Sequence, residues 1–301
     1  MKKFFLLFLF ISVIGLNKLW ACEICGCSTG NFYLGMLPKF NNKFIGMRYR
    51  SLNYRTQLKQ DPTQYSNDYY TTLEIWSGWN LGKKWQLMTF VPFQMNRQVT
   101  DDGNKSNSGL GDITLLANYN IWNKLASIVR QQVWIGGGIK LPTGQYKVNF
   151  DPTTLNLGQP NGQLGTGSID YLVSINHVAN YGNWGMSTSA NYKINLNNPD
   201  QFKFGNRYTA TTQVYYRFTR NALAIAPTIG TFFEQAVHNR YKNDDVLSTG
   251  GHALFATMGL EMSYGKIAFG VSLQSPIAQN FSEHQTTAQT RGLTHLTFTF
   301  K

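Results

Sequence analysis

Asp112-Ile-Thr-Leu-Leu-Ala-Asn-Tyr-Asn-Ile-Trp122 is the stretch that decides the fold. Ile113, Leu115, Ala117, Tyr119 and Ile121 share one parity, and Asp112, Thr114, Asn118 and Asn120 share the other; Leu116 is the exception. Successive side chains of a strand point to opposite faces, so this pattern predicts a strand with one apolar and one polar face. The same reading holds upstream, where Trp85, Leu87, Val91, Phe93 and Met95 oppose Gln86, Gln94 and Asn96. It holds downstream, where Ile267, Phe269, Val271 and Leu273 oppose Gly270, Ser272 and Gln274.

Extending the pattern over the chain gives about twelve strands. They fall near 43–56, 69–81, 85–97, 110–122, 128–141, 168–180, 183–195, 204–219, 222–235, 252–264, 266–277 and 289–300. Their connections alternate. Short turns, such as Leu81-Gly82-Lys83-Lys84, Tyr181-Gly182, Thr219-Arg220-Asn221 and Gly265, follow even strands. Long polar connections near 57–68, 98–109, 142–167, 196–203, 236–251 and 278–288 follow odd strands. Short turns on one rim, long loops on the other and an even count predict an all-β chain: a transmembrane antiparallel up-and-down β-barrel with both termini at the periplasmic rim.

Alternation alone does not say which face is wet, since a soluble sandwich turns its apolar face inward. Three features decide for the membrane. The strands run to ten residues or more, enough to cross a bilayer when tilted. Trp79, Trp85, Trp122 and Trp184 stand beside short turns, as an interfacial girdle requires. The chain closes on Leu296-Thr297-Phe298-Thr299-Phe300, an alternating segment with an aromatic end, followed by Lys301.

Composition agrees. Only 14% of the 301 residues are charged, against roughly 25% in soluble domains, because lipid-facing positions exclude charge. Of the net charge of +12, Lys2, Lys3 and Lys18 contribute three and lie in the leader, which leaves +9 for the remainder. That excess falls in loops, turns and termini, where it meets anionic headgroups or periplasmic partners; a basic balance does not by itself indicate nucleic acid.

Residues 1–21 read as an export signal: Lys2 and Lys3, the apolar run Phe4 to Leu16, and Ala21 at the cleavage position. That run is too short to span a membrane as a helix. Leu19-Trp20-Ala21-Cys22 also approximates a lipoprotein site with Cys22 as the acylated residue. Residues 22–42 form a cysteine-containing segment, either a plug or a periplasmic arm, and 43–301 form the barrel. Cys22, Cys25 and Cys27 are the only cysteines. They suit a soft ion, copper or zinc; the alternative is a disulfide or a lipidated Cys22. No haem attachment follows, because Gly26 stands where a histidine is needed.

The polar parity gives an inward set: Arg48, Arg50, Glu74, Asp112, Gln132, Lys140, Asp170, Asn176, Lys193, Arg207, Arg217, Glu234 and Glu261. Charges away from bulk water must pair, so the set is either a salt-bridged filling or the lining of a conduit. Catalysis has no comparable support. His177, His238, His252, His284 and His295 occur in no nucleophile or zinc motif, Glu234 and His238 read as a solvated rim, and Gly136-Gly137-Gly138 lacks the Lys-Ser of a phosphate loop.

Gly109-Leu110-Gly111-Asp112-Ile113-Thr114, Gly136 to Gly144 with its Leu141-Pro142-Thr143-Gly144 end, and Gly165-Thr166-Gly167-Ser168-Ile169-Asp170-Tyr171 resemble a family of outer-membrane proteins. That family is named for the meta-pathway of phenol degradation, and its members are commonly labelled transporters. The Cys-x-x-Cys-Gly-Cys run is similar to one seen in a subgroup with a metal connection. The resemblance implies a barrel in the outer membrane of a Gram-negative bacterium; its Asp112 and Asp170 fall on the inward parity and are expected as lumen residues, and Lys140, inward too, can pair with either acid. The expected function is a non-enzymatic channel or transporter for a small solute, hydrophobic and aromatic or metal-related. The alternative is a closed barrel that anchors a periplasmic or metal-handling partner. A membrane hydrolase would need an inward serine, histidine and acid in hydrogen-bond reach.

Overall fold

The computed structural model describes residues 43–57, 59, 65–101, 103–124, 128–146 and 162–300. The leader, the segment 22–42 with Cys22, Cys25 and Cys27, and much of the connection 142–167 lie outside the described residues. The strands are β1 (Lys43–Gln57), β2 (Tyr65–Leu81), β3 (Trp85–Thr100), β4 (Gly103–Leu110), β5 (Ile113–Lys124), β6 (Val129–Leu141), β7 (Asp170–Tyr181), β8 (Trp184–Ile194), β9 (Phe202–Lys203), β10 (Arg207–Tyr216), β11 (Phe218–Arg220), β12 (Leu223–Ala236), β13 (Asn239–Tyr241), β14 (Asp244–Val246), β15 (Gly251–Tyr264), β16 (Ile267–Phe281), β17 (Thr286–Ala288) and β18 (Arg291–Phe300).

Fifteen of these share one antiparallel sheet. Pairs β4–β5, β10–β11 and β17–β18 are each a single strand interrupted by one or two residues, so the sheet has twelve strands. It closes on itself: β1 pairs with β2 on one side and with β18 on the other, from Lys43↔Phe300 to Ser51↔Gly292. Closure leaves no edge, and only closed barrels let strands cross lipid with their backbone groups satisfied.

The outer face shows which medium surrounds it. On β1 and β2, Ile45, Met47, Tyr49, Tyr69, Ile75 and Trp79 are exposed, while Arg48, Arg50 and Glu74 between them are buried. From Tyr69 to Trp79 is ten residues, roughly 33 Å along the strand and about 25 Å along the membrane normal at a tilt near 40°. That matches the apolar band of an outer-membrane barrel, about 25 Å tall. Ring pairs Trp79–Phe300 (5.4 Å), Trp85–Tyr119 (4.8 Å) and Trp184–Tyr216 (5.0 Å) mark the rim with the short turns. Gly82, Gly182 and Gly265 take left-handed backbone in those turns, with φ of 68°, 56° and 58°.

Four expectations for the connections are corrected. Residues 98–109 are largely not a loop, because β3 and β4 stay paired from Phe93↔Leu110 to Thr100↔Gly103. Beyond the lipid both faces of this hairpin are wet, so the apolar alternation that signals a strand is missing there. Residues 196–203 and 236–251 contribute β9, β13 and β14, which form a separate three-stranded sheet. Residues 278–288 extend β16 and contain β17 after a single 3-10 turn. A register shift between Asn120 and Trp122 leaves both Ile121 and Trp122 exposed, and Leu116, the exception to the alternation, is packed inward in an apolar cluster.

Candidate functional site

The polar parity of each strand converges inside the barrel, and the ionisable groups there gather into four clusters. The first lies on β1 and β2, where cross-strand register sets Arg48 opposite Glu74. Arg48 donates to the Glu74 carboxylate from Nε (2.8 Å) and Nη2, and Arg50 Nη2 stands 3.7 Å from Glu74 Oε2. The Arg48 guanidinium covers the Trp76 ring at 4.6 Å and the Phe90 ring at 5.2 Å. Gly46 makes room, since a Cβ there would meet Trp76 Nε1 at 2.7 Å.

The second cluster is built by the three glycine-rich motifs. Lys140 Nζ donates to Asp112 Oδ2 (2.5 Å), to the Thr166 hydroxyl and to the Ser168 carbonyl (3.2 Å), and lies 2.9 Å from Asp170 Oδ2. Lys193 Nζ is 3.9 Å from the same Asp170 oxygen. The carboxylates reach outward into the loops: Asp112 accepts from the backbone of Gly144 (3.0 Å) and Thr166 (2.9 Å), and Asp170 from Ser168 Oγ (2.8 Å) and Leu196 N (3.1 Å). Any side chain at Gly165 would collide with Asp112 and with the Gly144 carbonyl. The motifs therefore form a latch that ties the described ends of the connection, residues 142–146 and 162–169, to the barrel wall. Lys140 holds both acids together.

The third cluster spans the barrel. Arg291 Nη2 on β18 donates to Glu234 Oε1 on β12 (2.5 Å) and to the Tyr54 hydroxyl (2.8 Å) on β1. β15 and β16 intervene between β18 and β12, so this contact is a chord across the interior. The guanidinium lies 4.0 Å from the Phe255 ring centre and 5.3 Å from that of Tyr54. Arg207, half-buried, is within electrostatic reach of both Glu234 and Arg291.

In the fourth, His295 Nε2 meets both Glu261 oxygens at 3.0 and 2.9 Å, and His295 Nδ1 lies 3.3 Å from Thr297 Oγ1. Hydroxyl, imidazole and carboxylate in line resemble a hydrolytic triad. Yet Thr297 is 1% exposed, and attack requires a substrate carbonyl beside the hydroxyl and facing donors. The contact clamps β15 to β18.

Between these clusters the interior mixes buried amides and hydroxyls, such as Gln86, Asn118 and Gln213, with two apolar clusters that strand parity alone does not reveal. Phe44, Trp76, Met88, Phe90, Leu116, Trp134 and Leu172 form one buried cluster, and Leu52, Tyr54, Tyr70, Phe232, Ala253, Phe255, Phe281 and Ala288 another. Of the expected inward set, Arg48, Arg50, Glu74, Asp112, Lys140, Asp170, Asn176, Lys193, Glu234 and Glu261 are buried. Gln132, Arg207 and Arg217 are half-buried, Arg217 in the break between β10 and β11 with its guanidinium 5.7 Å from the Tyr215 ring. Arg291 and His295 were absent from that set, although both share the parity of Thr297 opposite Leu296 and Phe298; the polar face of the last strand carried the signal.

Inside, Arg48, Arg50, Lys140, Lys193, Arg207 and Arg291 face Asp68, Glu74, Asp112, Asp170, Glu234 and Glu261, so apart from His295 these charges balance and any positive surplus is confined to single clusters. The excess is local: two arginines per glutamate in the first and third clusters, and two lysines to two aspartates in the second. Among the described residues no group of three His, Cys, Asp or Glu side chains could hold a metal ion.

A family model described as "Putative MetA-pathway of phenol degradation" matches residues 63–272. An outer membrane channel from Pseudomonas putida F1 superposes with a TM-score of 0.60 at 16% identity, over 86% of this chain and 96% of that one. The beta domain of the Bordetella autotransporter BrkA superposes with a TM-score of 0.54 at 10% identity, over 86% of this chain and 100% of that one. These likenesses concern the fold. No curated protein matches the sequence.

Proposed function

The chain belongs to the phenol-degradation family whose model it matches, an outer-membrane β-barrel by its fold, and from that premise we propose that it is a channel passing a small solute without covalent chemistry. The observation that carries this reading is the pairing of aromatic rings with guanidinium groups on the inner wall: Arg48 on Trp76 and Phe90, Arg291 on Phe255 and Tyr54. These rings are buried beneath the guanidiniums, so a ring-bearing solute that displaces an arginine meets a stacking surface, and the local surplus of two arginines per glutamate in the first and third clusters attracts an anionic group. The preferred solute is therefore small and ring-bearing, with a carboxylate favoured over an ammonium.

A second reading makes the barrel an anchor for a periplasmic or metal-handling partner, with copper or zinc on Cys22, Cys25 and Cys27. The chord from Arg291 to Glu234 favours it, because an ion pair across the interior narrows the passage. Planar-bilayer recording of the refolded full chain separates the two. Discrete conductance steps support the channel. Silence from a correctly folded barrel supports the anchor.

A further inference from the structure

A concavity of about 270 Å³ opens on the outside of the extracellular rim, lined by Lys203, Phe204, Gly205, Asn206, Val237, His238, Arg240 and Asp245. Its position follows from strand parity. Tyr192 and Tyr208 face each other across β8 and β10 on the outer surface, both exposed, and Asn206 Nδ2 donates to the Tyr192 hydroxyl at 3.3 Å. Asn206 and Val237 continue the outward parity of Tyr208 and Phe233. Two residues beyond Tyr208 is roughly 7 Å along the strand, so the concavity lies just past the aromatic girdle, in the headgroup layer that flanks the hydrocarbon on each side.

The charges lining it are arranged against their own stability. Lys203 on β9 is the direct cross-strand partner of Arg240 on β13, and like charges directly opposite destabilise a strand pair. Asp245 on β14 answers only one of them, by an exposed contact to Arg240 Nε at 2.7 Å. Neither Lys203 nor His238 makes a side-chain hydrogen bond or ion pair with any described residue. A phosphate bound between Lys203 and Arg240 would resolve this repulsion. We propose that this concavity binds a phosphate of the phosphorylated glycolipid that fills the outer leaflet, with Lys203 and Arg240 as charge partners, His238 and Asn206 as hydrogen-bond donors, and Val237 against the lipid. A basic pocket at the headgroup level is a recurrent mode of lipid recognition, and the site places part of the chain's basic excess.

The test uses full-length protein refolded in detergent with bisphosphorylated lipid A, with retained lipid counted by native mass spectrometry. Heat-shifted migration on gels confirms folding. The double variant Lys203→Gln/Arg240→Gln is expected to weaken retention by about tenfold or more, and Lys83→Gln/Lys84→Gln on the opposite rim to leave it unchanged. Asp245→Asn removes the competing carboxylate and should strengthen retention, which keeps the test decisive if the double variant fails to fold. Dephosphorylated lipid A should be retained as poorly as by the double variant, and millimolar inorganic phosphate should not displace the phosphorylated form. Equal retention of both lipids, unchanged retention in Asp245→Asn with the double variant unchanged or unfolded, or displacement by free phosphate overturns the proposal.

Discussion

Replacing Lys140 by methionine measures what the latch contributes. The ammonium is fully buried and stands 2.5 and 2.9 Å from the carboxylates of Asp112 and Asp170, with the Thr166 hydroxyl and the Ser168 carbonyl as further partners. Methionine keeps most of the volume and deletes the charge, leaving two buried carboxylates with only the more distant Lys193 to offset them. Breaking a buried pair by removing one partner costs about 3–5 kcal/mol. The triple variant Lys140→Met/Asp112→Asn/Asp170→Asn removes the stranded charges and should recover most of that. About 1–3 kcal/mol stays lost, because the Gly144 and Thr166 amides donate to different oxygens of Asp112 and a carboxamide at that position has only one. Guanidinium unfolding in liposomes gives the energies, and limited proteolysis between 142 and 169 reports whether the connection is released. A single variant as stable as the wild type, or more stable than the triple, refutes the account of the latch.

Gly270→Ala places a methyl group against His295 Nε2 and Glu261 Oε1. It should cost roughly 1–3 kcal/mol in the same unfolding assay, and an unchanged midpoint would show that the imidazole has room to move. Substituting the second arginine of each Arg–Arg–Glu group, as Arg50→Gln/Arg207→Gln, turns a balanced interior into one with two excess negative charges. Reversal potentials in a salt gradient should then shift towards cations; an unshifted potential would mean that ions do not pass these groups. At the extracellular end, the hydrogen bond to Asp101 and its negative charge raise the Tyr65 phenol above the ordinary tyrosine range. The stabilisation from that contact is present below the unfolded tyrosine pKa and lost as pH rises through the raised folded one. Asp101→Asn should lower the Tyr65 midpoint in an ultraviolet titration with Tyr65→Phe as the blank, and identical midpoints would dismiss the contact.

Period-two alternation was enough for the strands that cross the lipid, because lipid on one face imposes a rule that the side chains must obey. Where both faces are wet, the rule lapses. The paired extension from Phe93↔Leu110 to Thr100↔Gly103 therefore read as a loop, as did β9, β13 and β14. Parity also supplied the inward positions of Arg48, Glu74 and Lys140, since a charge on the outer face would be costly. It could not supply partners, which depend on register: Lys140 meets Asp170 because the two stand directly opposite across β6 and β7, and Asp112 because β5 pairs with β6 one same-face step away at Thr114↔Lys140. Nor could it show that Trp76, Trp134, Phe90 and Phe255 point inward, because a large ring fits either face of a strand and parity is set by the many lipid-facing positions, not by the few rings among polar neighbours. In this barrel inward glycines, such as Gly46 beneath Trp76 and Gly78 beneath Phe44, make space for large inward rings.

Solute entry into proteoliposomes tests the central claim most directly. The refolded chain should admit benzoate faster than a neutral sugar of similar size, because the inner wall pairs aromatic rings with two local Arg–Arg–Glu groups, each carrying a surplus positive charge. Equal rates for the two, or no entry of either through a barrel shown to be folded, would contradict it.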